Sequence, residues 1–235
     1  MAVRTKTVDP ARNGAASASA PAIEKSMRLV IPELSVQVLE VDINGIAPLV
    51  IRAWDQKTKQ QMADKAQGRQ KVKSRDPVDP EAVFNGARYI SEEGWDGIPA
   101  SAFKGALVEA VSCYDLPKTE FSMTLAKKTF FVLADGTCRL SGRDLVRIEG
   151  AKPEVYKLMQ PTSGGGPYMS YRPIYRQWRC RLRIQYNSAR IDAQGVLNLL
   201  ATAGYWVGVG EHRPASKESR TGAMGRWSIV PSDGK

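Results

Sequence analysis

The sequence predicts an α+β domain, and three observations carry that expectation. Two segments, 101–114 and 192–203, place apolar residues at helical spacing. Several shorter stretches alternate apolar and polar residues at strand spacing. Their order, strand, helix, strands, strand, helix, strand, interleaves the two kinds of element instead of separating them into blocks. The 235 residues, 43% from the AVILMFWYC set and 8% aromatic, are enough for one domain or one domain with appendages.

Residues 1–26 contain the run Ala15-Ala-Ser-Ala-Ser-Ala-Pro-Ala22 and no apolar periodicity, which predicts a disordered tail. A single domain over 27–235 is then expected to begin near Met27. Within 35–42, Val36, Val38 and either Leu39 or Val41 suggest a strand with one face on the core. A second apolar run, 47–52, ends near Trp54. A polar insertion over 55–80 follows. In its first 21 residues Lys57, Lys59, Lys65, Arg69, Lys71, Lys73 and Arg75 oppose only Asp55 and Asp64, a local +5. Its first half reads as a polar helix and its second as a loop ended by Pro77 and Pro80. A solvated excursion and a nucleic-acid contact both fit such a run.

The clearest helix follows Gly97, Ile98 and Pro99. Ser101 reads as its N-cap and Lys104 as N3, with Phe103, Ala106, Leu107, Ala110, Val111 and Tyr114 in one apolar stripe. Lys104 thus lies in the first turn, where backbone N–H groups without helical partners can meet a phosphate. Residues 127–133, an Asp135-Gly136 turn and residues 145–148 read as strand, turn and strand. From 178 to 186, Trp178, Cys180, Leu182, Ile184 and Tyr186 alternate with Arg179, Arg181, Arg183 and Gln185, a strand with a buried face and an arginine face. Asp192 caps the second helix, whose stripe is Ala193, Val196, Leu197, Leu200 and Ala203, and Gly204 is placed to stop it. A long hydrophilic loop leads from Gly208 to Gly225, and residues 226–230 close the domain as a strand. This order is that of a ferredoxin-like or RNA-recognition-type sheet.

Composition narrows the function. A formal charge of +10, from 34 Lys and Arg against 24 Asp and Glu, points to a polyanionic partner. No apolar run approaches the roughly 20 residues that cross a bilayer, and no signal-peptide core follows the first basic residues. A soluble, cytoplasmic protein with no membrane partner is expected. Cys113, Cys138 and Cys180 are odd in number and widely spaced, which indicates neither a disulfide framework nor a zinc site. His212 is the single histidine, so a Ser-His-Asp triad or a two-histidine metal site would converge on one loop residue. Asp76, Asp79, Asp96 and Asp115 are scattered near Pro or Gly, where Asp is a routine turn former. A non-enzyme without cofactor, metal or catalytic residue is expected.

Two stretches suggest binding. Arg172, Arg176, Arg179, Arg181, Arg183 and Arg190 occur with no acidic residue over 172–190 and with Tyr171, Tyr175 and Trp178 in or beside the run. Guanidinium groups pair bidentately with phosphate and aromatic faces stack on unpaired bases, a mixture suited to single-stranded nucleic acid. An edge strand charged against aggregation, its aromatics in the core, is the alternative. In the long loop, Gly208, Gly210, Gly222 and Gly225 permit positive φ and close backbone approach, and Arg213, Lys217, Arg220 and Arg226 supply cations. Together they suggest a phosphate cradle, though not a Walker loop, since no Gly-Lys-Ser/Thr ends it before a helix. An ordinary long hairpin is the alternative there. The basic segments are thus 1–26, 55–75, 172–190 and 208–227, and the rest of the chain is acidic on balance.

Two of these stretches together resemble the RAMP superfamily, the RNA-recognition-fold proteins that include the backbone subunits of CRISPR effector complexes. Gly97-Ile-Pro-Ala-Ser-Ala-Phe-Lys-Gly-Ala-Leu107 looks like the start of that family's first palm helix. Gly208-Val-Gly210 through Gly222-Ala-Met-Gly-Arg-Trp227 looks like its glycine-rich loop before the last strand. Standalone bacteriophage-encoded relatives are similar also in Ala47-Pro-Leu-Val-Ile-Arg-Ala-Trp54, Tyr171-Arg-Pro173, Gln185-Tyr-Asn187 and Leu197-Asn-Leu-Leu-Ala-Thr-Ala-Gly204. The resemblance implies a palm with finger and thumb-like insertions, the thumb-like one over 160–177, and subunits that form a filament along a single-stranded guide RNA beside other effector-complex subunits. Carried over by position, Ser101, Lys104, the loop glycines and Arg226 would approach the RNA backbone. No aspartate is placed to carry the target-RNA cleavage that some relatives perform. Binding of single-stranded DNA, or a structural role in phage assembly without guide RNA, is the alternative function.

Overall fold

The computed structural model describes residues 33–53, 60, 62–64, 66–68, 79–117, 121–150, 152–161, 167–217, 219 and 221–231, the side chains of 160, 161, 167 and 168 excepted. The expected tail over 1–26, the start at Met27 and most of the basic insertion 55–80 lie outside the described residues. Within the insertion Gln60, 62–64 and Ala66 are helical, as the sequence suggests for its first half.

In chain order the elements are β1 (Val36–Gly45), β2 (Leu49–Val50), α1 (Pro80–Gly86), β3 (Gly97–Pro99), α2 (Ala100–Ala110), α3 (Met123–Thr129), β4 (Phe130–Leu133), β5 (Gly136–Thr137) and β6 (Asp144–Arg147). They continue with β7 (Glu149–Gly150), β8 (Glu154–Pro161), β9 (Pro167–Tyr175), β10 (Trp178–Asn187), α4 (Ala193–Thr202), a π-helical turn (Ala203–Val207) and β11 (Trp227–Ile229). The central sheet is antiparallel in the order β11-β1-β10-β4, with β7 also pairing β10. Following only β1, α2, β4, β10, α4 and β11, the spatial order is fourth, first, third, second, which is the split βαβ arrangement of a ferredoxin-like fold. The α+β class read from the sequence is therefore the one observed. Smaller sheets, β2-β9-β8 and β3-β6-β5, flank it along the chain.

Period-two alternation decides which face of the sheet is inside. On β10, Trp178, Cys180, Leu182, Ile184 and Tyr186 are buried, as the pattern requires. Register brings Cys180 opposite Ile43, Leu182 opposite Val41 and Ile184 opposite Leu39, so one continuous apolar face runs across the strands. Helix α2 covers it with Phe103, Ala106, Leu107 and Ala110, and α4 with Val196, Leu199 and Leu200. Trp227 of β11 meets Phe103 edge-on, ring centroids 5.7 Å apart. The opposite face carries Arg179, Arg181 and Arg183.

The local readings need four corrections. Ser101 is not an N-cap, because β3, paired to β6, holds Pro99 extended and the helix starts at Ala100 with no side-chain cap. Lys104 is consequently not at N3 but the fifth residue of the helix, past its first turn, so the free N–H groups of the helix start are not beside it in sequence. Met123–Thr129 is helix and only 130–133 is strand, because the Ser122 hydroxyl accepts a hydrogen bond from the Leu125 N–H at 3.3 Å. Gly204 does not end α4. The chain continues through the π-turn to Gly208, at φ 70°, whose N–H donates to the Ala203 carbonyl at 2.8 Å. Gly204 serves closeness instead, since a side chain there would strike the Trp227 carbonyl. The Asp192 cap is present, its carboxylate accepting from the Gly195 N–H at 2.7 Å.

Candidate nucleic-acid interface

The arginine strand is placed as its alternation requires, but other elements supply carboxylates that the strand itself lacks. Arg179 Nε donates to Glu149 at 3.0 Å, and Arg181 forms a two-point pair with Asp42 at 2.8 and 3.0 Å. Arg183 donates to the Ala134 carbonyl at 2.6 Å and to Asp135 at 3.2 Å. Arg176 pairs with Glu154 at 2.8 Å. Arg172, only 7% exposed, pairs with Glu211 at 3.1 Å, a carboxylate it shares with Arg52. Register is the cause for two of these, since Asp42 lies directly opposite Arg181 and Glu149 opposite Arg179. Tyr175 and Trp178 are core residues, and the Trp178 indole N–H donates to the Ala47 carbonyl at 2.8 Å. Arg190 is exposed. The run +6 in sequence is therefore largely neutralised in space.

The Arg181 guanidinium, by its hydrogen bond, holds the Asp42 carboxyl below the usual carboxylate range. A depressed folded value means that the pair's contribution is present above the unfolded value and is lost as pH falls through the folded one. Asp42→Asn is accordingly expected to lower the urea midpoint slightly at pH 7, with the difference from wild type narrowing in acid. Equal differences at both pH values would show that the pair makes no such contribution.

The glycine loop is folded back on the protein. Gly208, Gly210 and Gly225 adopt φ of 70°, 80° and 65°, in the left-handed region that the sequence assigns to them. Yet their close approaches are to the protein's own backbone. A side chain at Gly210 would strike the Val50 carbonyl, one at Gly225 the Val209 carbonyl, and one at Gly222 the Arg213 carbonyl. Glu211 N–H donates to Val50 O and Gly225 N–H to Pro48 O, both at 2.8 Å, pinning the loop to the chain around β2. His212 holds φ 57° without being glycine, and its Nε2 is enclosed with no hydrogen-bond partner among the described residues. Arg213 donates to Gly210 O and Arg226 to Ala223 O, each at 3.2 Å, and Lys217 is exposed. None of these three cations has a carboxylate within ion-pair distance among the described residues. Arg220 lies outside the described residues.

The loop meets α2 at the C-terminal end of the helix, at Glu109, and adjoining clefts lead from there to the helix start. Clefts follow the exposed side of α2, about 15 Å long at 1.5 Å per residue. One is bounded by Ser101, Lys104, Phe131 and Arg143. It meets a second, bounded by Lys104, Met123 and Lys127, at Ser101 and Lys104. The second meets a third, lined by Arg213 and Lys217, at Glu109. Lys104 lies with Nζ 3.8 Å from the centre of the exposed Phe131 ring, and burial pushes its ammonium below the ordinary lysine value. Lys104, Lys127, Arg143, Arg213 and Lys217 thus form a discontinuous row of cations that the described carboxylates do not pair. Phe131, Lys127 and Arg143 are absent from the sequence-based site. The signal that would have found the first was the Phe130-Phe131 pair, which on a strand must put one ring in and one out. No cluster of three or more His, Cys, Asp or Glu able to hold a metal occurs among the described residues. No helix among them is long and apolar enough to cross a membrane.

No family model matches the chain. No curated protein matches it either. Among solved structures it is similar to the crystal structure of Cmr6 from Pyrococcus furiosus, at 13% identity and a TM-score of 0.40, over 84% of this chain and 100% of that one.

Proposed function

We propose that this chain is a non-catalytic subunit that binds single-stranded nucleic acid, its phosphates following the cleft along α2 from Arg143 and Lys104 past Lys127 to Lys217 and Arg213. The observation that carries this reading is the contrast between two sets of cations. Those of β9 and β10 are held in ion pairs of 2.8–3.2 Å, whereas Lys104, Lys127, Arg143, Arg213 and Lys217 make no ion pair among the described residues, with Asp144, Glu109 and Glu211 lining the same clefts at greater distance. Contacts of this kind address phosphate and carry no sequence information, so binding is largely sequence-independent. The resemblance of the α2 start and the glycine loop to RAMP proteins supports a guide RNA as the strand, with copies of the chain repeating along it as the backbone of an effector complex.

Binding of a fluorescent 20-nucleotide poly-U strand tests the reading. With five phosphate contacts, the slope of log affinity against log salt is expected to be about −3.5. A flat dependence overturns it. Sequencing the nucleic acid that copurifies tests the guide: RNA of uniform length and shared ends is the expected result. Single-stranded DNA, or protein-only oligomers, would instead favour the phage-type assembly role.

A further inference from the structure

We infer that Tyr205 and Trp206 form a stacking platform for an unpaired nucleobase whose phosphate is met by Arg226. This rests on the binding reading above and adds to it a second point of contact, off the α2 cleft. The two rings are 58% and 61% exposed, although their neighbours Ala203, Gly204 and Val207 are buried. The π-turn produces that arrangement. An extra residue per turn at the end of α4 moves consecutive side chains off the helical stripe, and such turns concentrate at functional sites.

The rings are held in place. Gly204 is wedged against the Trp227 carbonyl and indole, and the Gly208 N–H closes the turn onto Ala203. Tyr205 and Trp206 sit edge-to-face at 5.6 Å and 77°, which leaves ring surface uncovered by its neighbour. The Arg226 guanidinium lies 5.9 Å from the Tyr205 ring centre. Its Nε is occupied by the Ala223 carbonyl, and its terminal nitrogens have no hydrogen-bond partner among the described residues. An aromatic surface on a closed turn, beside a cation with no carboxylate partner among the described residues, matches a base joined to a phosphate, and suits an uncharged apolar helix less well. Base stacking of this kind is indifferent to sequence, in keeping with phosphate-led binding.

The test compares the full chain with Trp206→Ala and Trp206→Phe, using a 20-nucleotide oligo-dT and a 20-nucleotide abasic strand of the same charge. Wild type is expected to bind oligo-dT more tightly than the abasic strand. Trp206→Ala should lose roughly tenfold for oligo-dT, bind the abasic strand as wild type does, and keep the wild-type urea midpoint. Trp206→Phe should retain most of the affinity. If Trp206→Ala binds oligo-dT as wild type does, the platform is overturned while phosphate binding stands. If wild type binds neither strand, both readings fall. If the variant changes sedimentation of the protein alone and leaves oligonucleotide affinity unchanged, the rings dock protein and the inference is overturned.

Discussion

Reversing Lys104, Lys127 and Lys217 together to Glu is expected to weaken poly-U binding by at least about a hundredfold at 0.1 M salt. Each phosphate contact on a single strand contributes about 0.7 decade of affinity per decade of salt below 1 M, so losing three removes about two decades. The salt slope should flatten by about 2 for the same reason. All three side chains reach clefts on the outer side of α2 and none contributes to the apolar core, so the fold should tolerate the change. The informative comparison is a double variant, Asp42→Ala with Arg181→Ala, which removes an arginine from β10 without altering local net charge. Its affinity should equal that of wild type. If the triple variant binds normally while this double variant loses affinity, the strand runs over the arginine face and the α2 cleft is not the site. Alkaline titration offers a further check, because burial holds the Lys104 ammonium below the ordinary lysine value, so its contribution to binding should fade at lower pH than an ordinary lysine's would.

The largest expected loss of stability comes from Trp227→Ala, about 3–5 kcal/mol. The side chain is 1% exposed and lies between Phe103 of α2 and Gly204 of the π-turn, with Ile43, Leu182 and both helices sharing the same core. Its removal therefore opens a cavity between the two helices that cover the sheet. The surrounding elements cannot close it without moving β11, which is held to β1 by only three residue pairs. A drop in Tm of roughly 10 °C should follow in a chain of this size. The same change at the exposed Trp206 should leave Tm nearly untouched. Comparable losses at both positions would contradict the burial described.

Much of this fold is legible because its sheet follows one rule throughout. The alternation on β10 set register and face together, since a one-residue slip would have buried three arginines. The helical stripes were legible for the same reason, although Tyr114, last in the first stripe, ends at the surface with its hydroxyl 2.6 Å from Thr202. What sequence neighbourhood could not supply was partnership. Asp42 is 139 residues from Arg181, and Asp135 is 48 from Arg183, so a run without acids reads as a basic track until the strands are assembled. The loop glycines show the converse. Positive φ at 208, 210 and 225 was inferable from residue type, but that the close approach is to Val50 and Val209 depends on where β2 lies. Phe131 and Lys104 meet only because β4 is an edge strand beside α2.

The sheet order also bears on how the chain is made. Both neighbours of β1, β10 and β11, lie beyond Arg176, so the strand that emerges early from the ribosome has no partner until most of the chain has followed. At 5–20 residues per second that wait is roughly 7–27 seconds, during which Val36, Val38, Val41 and Ile43 stand unpaired. The loop pinned to Pro48 and Val50 is bound to the same delay. Folding of the central sheet is thus a late event in synthesis. A nascent chain stalled before Trp178 would hold the α2 cleft's lysines but neither the sheet beneath them nor the loop that completes them, leaving it dependent on chaperones until elongation resumes.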